Sequence, residues 1–230
     1  MGERILAGLG LALLLSVAGS VVVRPSAPRQ PQEKPEWRQL FNGRDLDGWE
    51  HTGPGRFLVE DGLLRTEGHM GLLWYTKQKF GNCELKVVYK VGQADSNSGV
   101  FIRIADRPAD PWFAVHHGFE VQICDQEDDY HTTGVIYSIT KALERPEKAP
   151  GEWNTMLIKM KATHVTVDLN GAVVTEFDSS QAMRPRKQWY EPDRKPIRPE
   201  TGYIGLQNHD DKDSHVYFKE VSVRALGSAE

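Results

Sequence analysis

Apolar and polar residues alternate along most of this chain in short runs, with Gly, Asn, Asp or Pro between them. The clearest runs are 83–91 (CELKVVYKV), 98–104, 118–124, 134–139, 153–160, 163–169, 172–177, 202–208 and 215–224. Period two over that length predicts half-buried β-strands. Shorter strands are predicted near 57–66 and 71–75. No window spaces its apolar residues for a helix of ten or more positions, although 140–144 suits one helical turn. Asn170-Gly171, between two alternating runs, supplies the two positive φ angles of a type I′ hairpin. In the last run Val216 and Phe218 alternate, then Val221 and Val223 do, and the extra residue between them predicts a bulge. Many antiparallel strands without long helices predict an all-β fold, a jelly-roll β-sandwich over residues 37–230.

Period two also sorts the faces. In the 118–125 run Phe119, Val121 and Ile123 point one way, while Glu120, Gln122 and Cys124 point the other. In 99–104 Val100, Ile102 and Ile104 oppose Phe101 and Arg103. In 202–209 Ile204 and Leu206 oppose Gln207 and His209. Three strands therefore share one plan, with an apolar face for the core and a few polar groups mid-strand on the other. A solvated outer face has the same alternation. The set Glu, Gln, Arg, Gln and His, rich in hydrogen-bond donors and acceptors, also suits a binding face centred on Glu120 and Gln122, and spacing alone leaves both readings open.

The N-terminus changes the picture of where the domain works. Residues Ile5 to Val23 carry no charge and follow Arg4, a basic start before an apolar stretch. Residues 1–23 thus read as a signal peptide, with Ala18, Gly19 and Ser20 offering small residues for cleavage. The run also has the length of an uncleaved anchor, about 20 residues. Either way the remainder is expected to be exported: periplasmic, secreted or membrane-anchored facing outward, with membrane contact only through that segment. Residues 24–36, with Pro25, Pro28, Pro31 and Pro35, read as an extended linker. With 28 basic and 32 acidic side chains the net charge is −4, which gives no electrostatic basis for a nucleic-acid partner. The two cysteines, Cys83 and Cys124, are too few for a disulfide scaffold or a Cys-based zinc site. Their opposite strand phases disfavour a bond between them.

Aromatic residues flank the polar face. Trp112, Phe113, His116 and His117 lie in the loop entering the Glu120 strand, and Trp189 and Tyr190 lie in the long 179–200 loop. Such rings stack on sugars while polar side chains read hydroxyls; they equally suit caps on the edges of the core. Two acidic clusters, Asp125, Glu127, Asp128 and Asp129 and then Asp210, Asp211 and Asp213, offer oxygen ligands for a divalent metal such as calcium, or simply solvated charge. No G-x-S-x-G elbow, P-loop or dinucleotide fingerprint occurs.

The sequence resembles the 3-keto-disaccharide hydrolase domain family from Leu40 to about Leu226. The resemblance is carried by eight ordered segments: 40–49 (LFNGRDLDGW), 58–62, 97–103 (NSGVFIR), 119–125 (FEVQICD), 134–137, 152–154, 169–171 and 204–209 (IGLQNH). It implies a concanavalin-A-like jelly roll of the lectin and glucanase type. It also implies action on sugars oxidised at C3. The matched polar positions are Asn97, Arg103, Glu120, Gln122, Asp125, Tyr137, Gln207 and His209. Phe218-Lys219-Glu220 departs from the Arg-Asn that often follows this Phe, and the 179–200 insertion is longer than in many members.

A ketone at C3 acidifies the C2 proton. A base that removes it forms an enolate, the C1 substituent leaves by β-elimination, and water adds back. Such a site needs a base, an electrophile and an acid. The resemblance thus implies Glu120, His209 and Arg103 as catalytic residues, with Glu120 and His209 sharing the base and acid roles in either order. Asn97, Gln122, Asp125, Tyr137, Gln207 and Trp112 would hold an oligosaccharide or glycoside. A non-catalytic carbohydrate-binding module is the alternative from another class. Ordinary glycoside hydrolysis would want a second carboxylate near Glu120.

Overall fold

The computed structural model describes residues 1–2, 35–195, 197–209 and 214–226. The expected leader, the linker to residue 34, and Asp210, Asp211 and Asp213 lie outside the described residues. The chain divides into Met1–Glu33 and Lys34–Glu230, and among the described residues every strand and helix belongs to the second unit. Among the described residues no helix is long and apolar enough to cross a membrane.

Two antiparallel sheets pack face to face as a jelly-roll sandwich. The larger is ordered β11 (Ala172–Asp178), β10 (His164–Leu169), β9 (Asn154–Lys161), β6 (Cys83–Val91), β13 (Val216–Ala225), β4 (Leu63–Glu67) and β3 (Arg56–Glu60), with β1 (Arg38–Gln39) also on β13. The smaller is ordered β2 (Trp49–Thr52), β5 (Gly71–Tyr75), β12 (Tyr203–Asn208), β7 (Ser98–Ile104) and β8 (Phe119–Ile123). The inward sets of both sheets, including Leu85, Val87, Ile158, Val100, Val121 and Leu206, interdigitate in one core. Each such fully buried aliphatic side chain contributes roughly 1.5–3 kcal/mol.

Local chemistry explains the predicted turns. Asn170 and Gly171 take φ of 55° and 90° between β10 and β11, the expected type I′ pair. The register of β13 on β6 shifts between Phe218 and Glu220, where the alternation changes phase.

Three expectations are corrected. The run 134–139 is not a strand: Gly134 and Ser138 adopt positive φ, and only Ile136 bridges, to Val121. Residues 140–144 form no helical turn. The segment with Trp112 and His116 is not a loop but a seven-residue helix, α1 (Pro111–His117). Asp110 caps it by accepting the Phe113 N–H at 3.0 Å, and Pro111 opens it.

The outer faces of the two sheets differ. On the larger sheet Lys86 pairs with Glu220 at 2.7 Å, and Lys90 lies over the rings of Trp153 and Tyr217, a solvated surface of mutually satisfied groups. On the smaller sheet α1 covers one part through Leu72, Trp74, Phe101, Ile104, Ala114 and Val115. The remainder of that face is polar and forms the floor of a cleft.

Candidate active site

The cleft has a volume of about 660 Å³. Its floor is strand-borne: Glu120 and Gln122 project from β8, and Gln207 from β12. Asn97, just before β7, and His209, just after β12, close one end. Trp112 and Val115 of α1 form one wall. The segment from Glu127 to Tyr137 and the 179–200 loop form the others.

Glu120 is a buried carboxyl on this floor. Its backbone opposes Phe101, and its side chain crosses to the neighbouring strand to lie on Gly99. Only a glycine leaves that space, since a Cβ there would meet Glu120 Cγ at 2.8 Å and Cδ at 3.0 Å. Burial pushes the carboxyl up to about 8, opposed only by a hydrogen bond from Gln207. Gln122 and Gln207 each bury an Oε1 with no protein partner. Two amide acceptors thus stand over the floor with hydrogen-bonding capacity to fill, at a cost of about 1–3 kcal/mol each if left bare.

A relay runs to His209. Gln122 Nε2 donates to Asn97 Oδ1 at 3.5 Å, and Asn97 Nδ2 lies 3.3 Å from His209 Nδ1. An amide N–H directed at Nδ1 makes that nitrogen the acceptor, which leaves the ring proton of a neutral imidazole on Nε2. Tyr137 is tied to Glu120 by its backbone N–H, 2.9 Å from the Glu120 carbonyl. Burial and the neighbouring Glu120 raise its phenol, so it stays protonated.

The walls are held by a local ion pair that also makes hydrogen bonds far along the chain. Glu191 is buried; its Oε2 accepts the Lys187 N–H at 2.8 Å and pairs with Arg194 at 3.4 Å. Arg194 Nη2 also donates to the Ser138 carbonyl and hydroxyl at 3.1 and 3.0 Å, clamping the loop to the segment beside Tyr137. Glu191, Arg184, Lys187 and His131 therefore line the cleft although alternation could not find them.

Seven of the nine expected site residues meet here: Asn97, Trp112, Glu120, Gln122, Tyr137, Gln207 and His209. Arg103 and Asp125 do not. Arg103 has φ of 54°, and the register of β7 on β12 shifts beside it. The bulge reverses the alternation, so Ile104 joins Phe101 on the outer face, and Arg103 swings away from the cleft. Its buried guanidinium donates to the carbonyls of Ala162 and His164 and to Ser179. Asp125 accepts the Thr133 hydroxyl at 2.5 Å and lies near the buried Tyr89 phenol and Glu147.

The first acidic cluster disperses in the same way. Asp128 takes the Tyr130 N–H and His131, and Asp129 pairs with Lys141 and Arg145. Among the described residues no three His, Cys, Asp or Glu are grouped to hold a metal.

Residues 36–224 match the model of the 3-keto-alpha-glucoside-1,2-lyase-like domain. The chain belongs to this family. No curated protein matches it significantly. Among solved structures, this 3-keto-alpha-glucoside-1,2-lyase-like domain is similar to a Parabacteroides distasonis protein described as a "putative glycosyl hydrolase". The two share 30% identity, covering 83% of this chain and 100% of that one, with a TM-score of 0.67. Two more distant structures share the fold. One is a non-specific endo-beta-1,3(4)-glucanase of family GH16, at 14% identity, TM-score 0.53, covering 86% and 95% of the two chains. The other is carbohydrate-binding module CBM66 from Bacillus subtilis, at 11% identity, TM-score 0.51, covering 77% and 96%.

Proposed function

We propose that this cleft cleaves 3-keto-glycosides by C2 deprotonation, β-elimination and hydration. The observation that carries the reading is Glu120, a carboxyl on the buried floor that is raised to about 8 and flanked by the bare acceptors of Gln122 and Gln207. A carboxylate of raised pKa is a stronger base, suited to a proton made acidic by an adjacent ketone. Glu120 takes the C2 proton and the electron pair moves to the C3 oxygen. Elimination then breaks the C1–O bond, and the leaving oxygen takes a proton. Water adds across the resulting C1–C2 double bond to give the free 3-keto sugar.

The remaining roles follow from which groups can donate. His209 presents Nε2–H to the enolate oxygen, in place of the Arg103 expected from the sequence. The Tyr137 phenol supplies the proton to the leaving oxygen. Gln122 and Gln207 accept from sugar hydroxyls. Paired-carboxylate hydrolysis is less well served, because the other cleft carboxylates, Glu127, Asp128 and Glu191, belong to the walls, and Asp128 and Glu191 are engaged by neighbours. The apolar run from Ile5 to Val23 supports an exported location, which cell fractionation would test.

The deciding experiment incubates the domain with a 3-keto-glycoside and with its unoxidised parent in deuterated water. The expected result is release of the leaving group from the ketone alone, with deuterium at C2. Glu120→Gln abolishes both, and His209→Ala slows release. Full turnover by both variants, or equal cleavage of the unoxidised parent, overturns the proposal. Binding without release assigns a carbohydrate-binding module instead, a reading favoured by the exposed aromatic rings at the cleft mouth.

A further inference from the structure

The cleft is graded by depth. Its floor is nearly dry, with Glu120 7% and Gln122 and Gln207 each 3% exposed. Its mouth carries three large rings left open to water: Trp112 at 38%, Tyr190 at 41% and Trp189 at 73%. They pack on one another, Trp112 against Trp189 at 5.8 Å and Trp189 against Tyr190 at 5.7 Å between centroids.

Trp189 is exposed but its position is set. Arg186 donates to its carbonyl and to that of Gln188 and pairs with Asp193, whose N–H lies 3.3 Å from His116 Nδ1 on α1. The ordering is therefore done by backbone and charge, and the indole face remains available. A pre-ordered, uncovered indole stacks on the apolar face of another ring with little entropic cost.

We infer that Trp189, seated against Trp112, is the leaving-group platform of the cleft and takes a leaving group that is itself a ring with an apolar face, pyranose or aromatic. The inference rests on the reaction proposed above: with the oxidised ring on the buried floor beside Glu120, the C1 substituent is the part that remains at the mouth. The 179–200 loop then sets which glycosides are chosen, while the strand-borne floor does the chemistry.

The test compares 3-keto derivatives of methyl glucoside, a glucosyl disaccharide and 4-nitrophenyl glucoside. Replacement of Trp189 by Ala is expected to lower the ratio of kcat/KM for the ring-bearing substrates over the methyl substrate about tenfold, mostly through KM, with Trp189→Phe recovering much of it. A fall for only one of the two ring-bearing substrates names the class of leaving group. An unchanged ratio for both overturns the inference. Calorimetric binding of the same compounds keeps this apart from failure of the proposed reaction. Absence of turnover, with a ring-over-methyl binding preference that Trp189→Ala removes, defeats the reaction but not the platform. Equal binding of all three compounds by the native chain defeats the platform.

Discussion

Glu120 rests on Gly99 of the adjacent strand, in a space that a single Cβ would fill. The backbone of Gly99 does not have positive φ, so alanine there meets a side-chain clash and no conformational strain. Gly99→Ala is expected to leave the fold intact and to lift the carboxyl off the floor. Turnover should fall by about two orders of magnitude, the scale expected when a reacting group is misplaced by about 1 Å. Steady-state kinetics beside a thermal melt would separate the two effects, and an active Gly99→Ala chain would refute the placement.

The raised Glu120 carboxyl sets two pH dependences. As the base of the proposed reaction it must be ionised, so kcat/KM should climb with pH and level off above about 8. Stability has the opposite sign. The folded pKa lies above the unfolded value of about 4.3, so between them the folded state binds more protons than the unfolded one. The stability contributed by protonated Glu120 is complete below about 4.3 and is lost as pH rises to about 8. Urea titrations across that window should show Glu120→Gln removing part of the decline, and identical pH slopes in the two chains would contradict it.

Arg103 joins β7 to the β9–β10 turn and touches no part of the cleft. Arg103→Met should cost on the order of 3 kcal/mol, from lost charged hydrogen bonds and bare carbonyls, measured by chemical denaturation. Folded Arg103→Met protein should keep native kcat. A loss of kcat without loss of stability would restore the catalytic role expected from the sequence.

Cys83 and Cys124 are both buried thiols. Burial pushes the Cys83 thiol up to about 12, far from its reactive thiolate. Alkylation of the native protein should leave Cys83 unlabelled, while alkylation after denaturation without reductant should label both cysteines. Intact mass reads the difference. A pair that resists labelling until reduced would show a disulfide and displace this arrangement.

How much of the site was legible depends on the range of each signal. Glu120, Gln122 and Gln207 were visible because a strand in regular register sends alternate residues to one face, whatever it pairs with. Asn97 and Tyr137 carry no such phase and entered through the family resemblance. Arg103 was misplaced because a bulge is a property of two strands, here β7 and β12, and one left-handed residue reverses the alternation after it. α1 had a local signal in Asp110-Pro111, but seven residues are too few to show a helical period.

The sequence by itself determined most of the strands, the hairpin at Asn170-Gly171, the β13 bulge, the sandwich and the polar face, all products of chemistry within a few residues of chain. Only the tertiary structure decided how deeply that face is buried and what covers it. The burial that raises Glu120 depends on what covers it: α1, the segment at Tyr137 and a loop clamped by Glu191 and Arg194. Desolvation and the Arg194–Ser138 hydrogen bonds act through space between residues distant along the chain, so no local pattern encodes them.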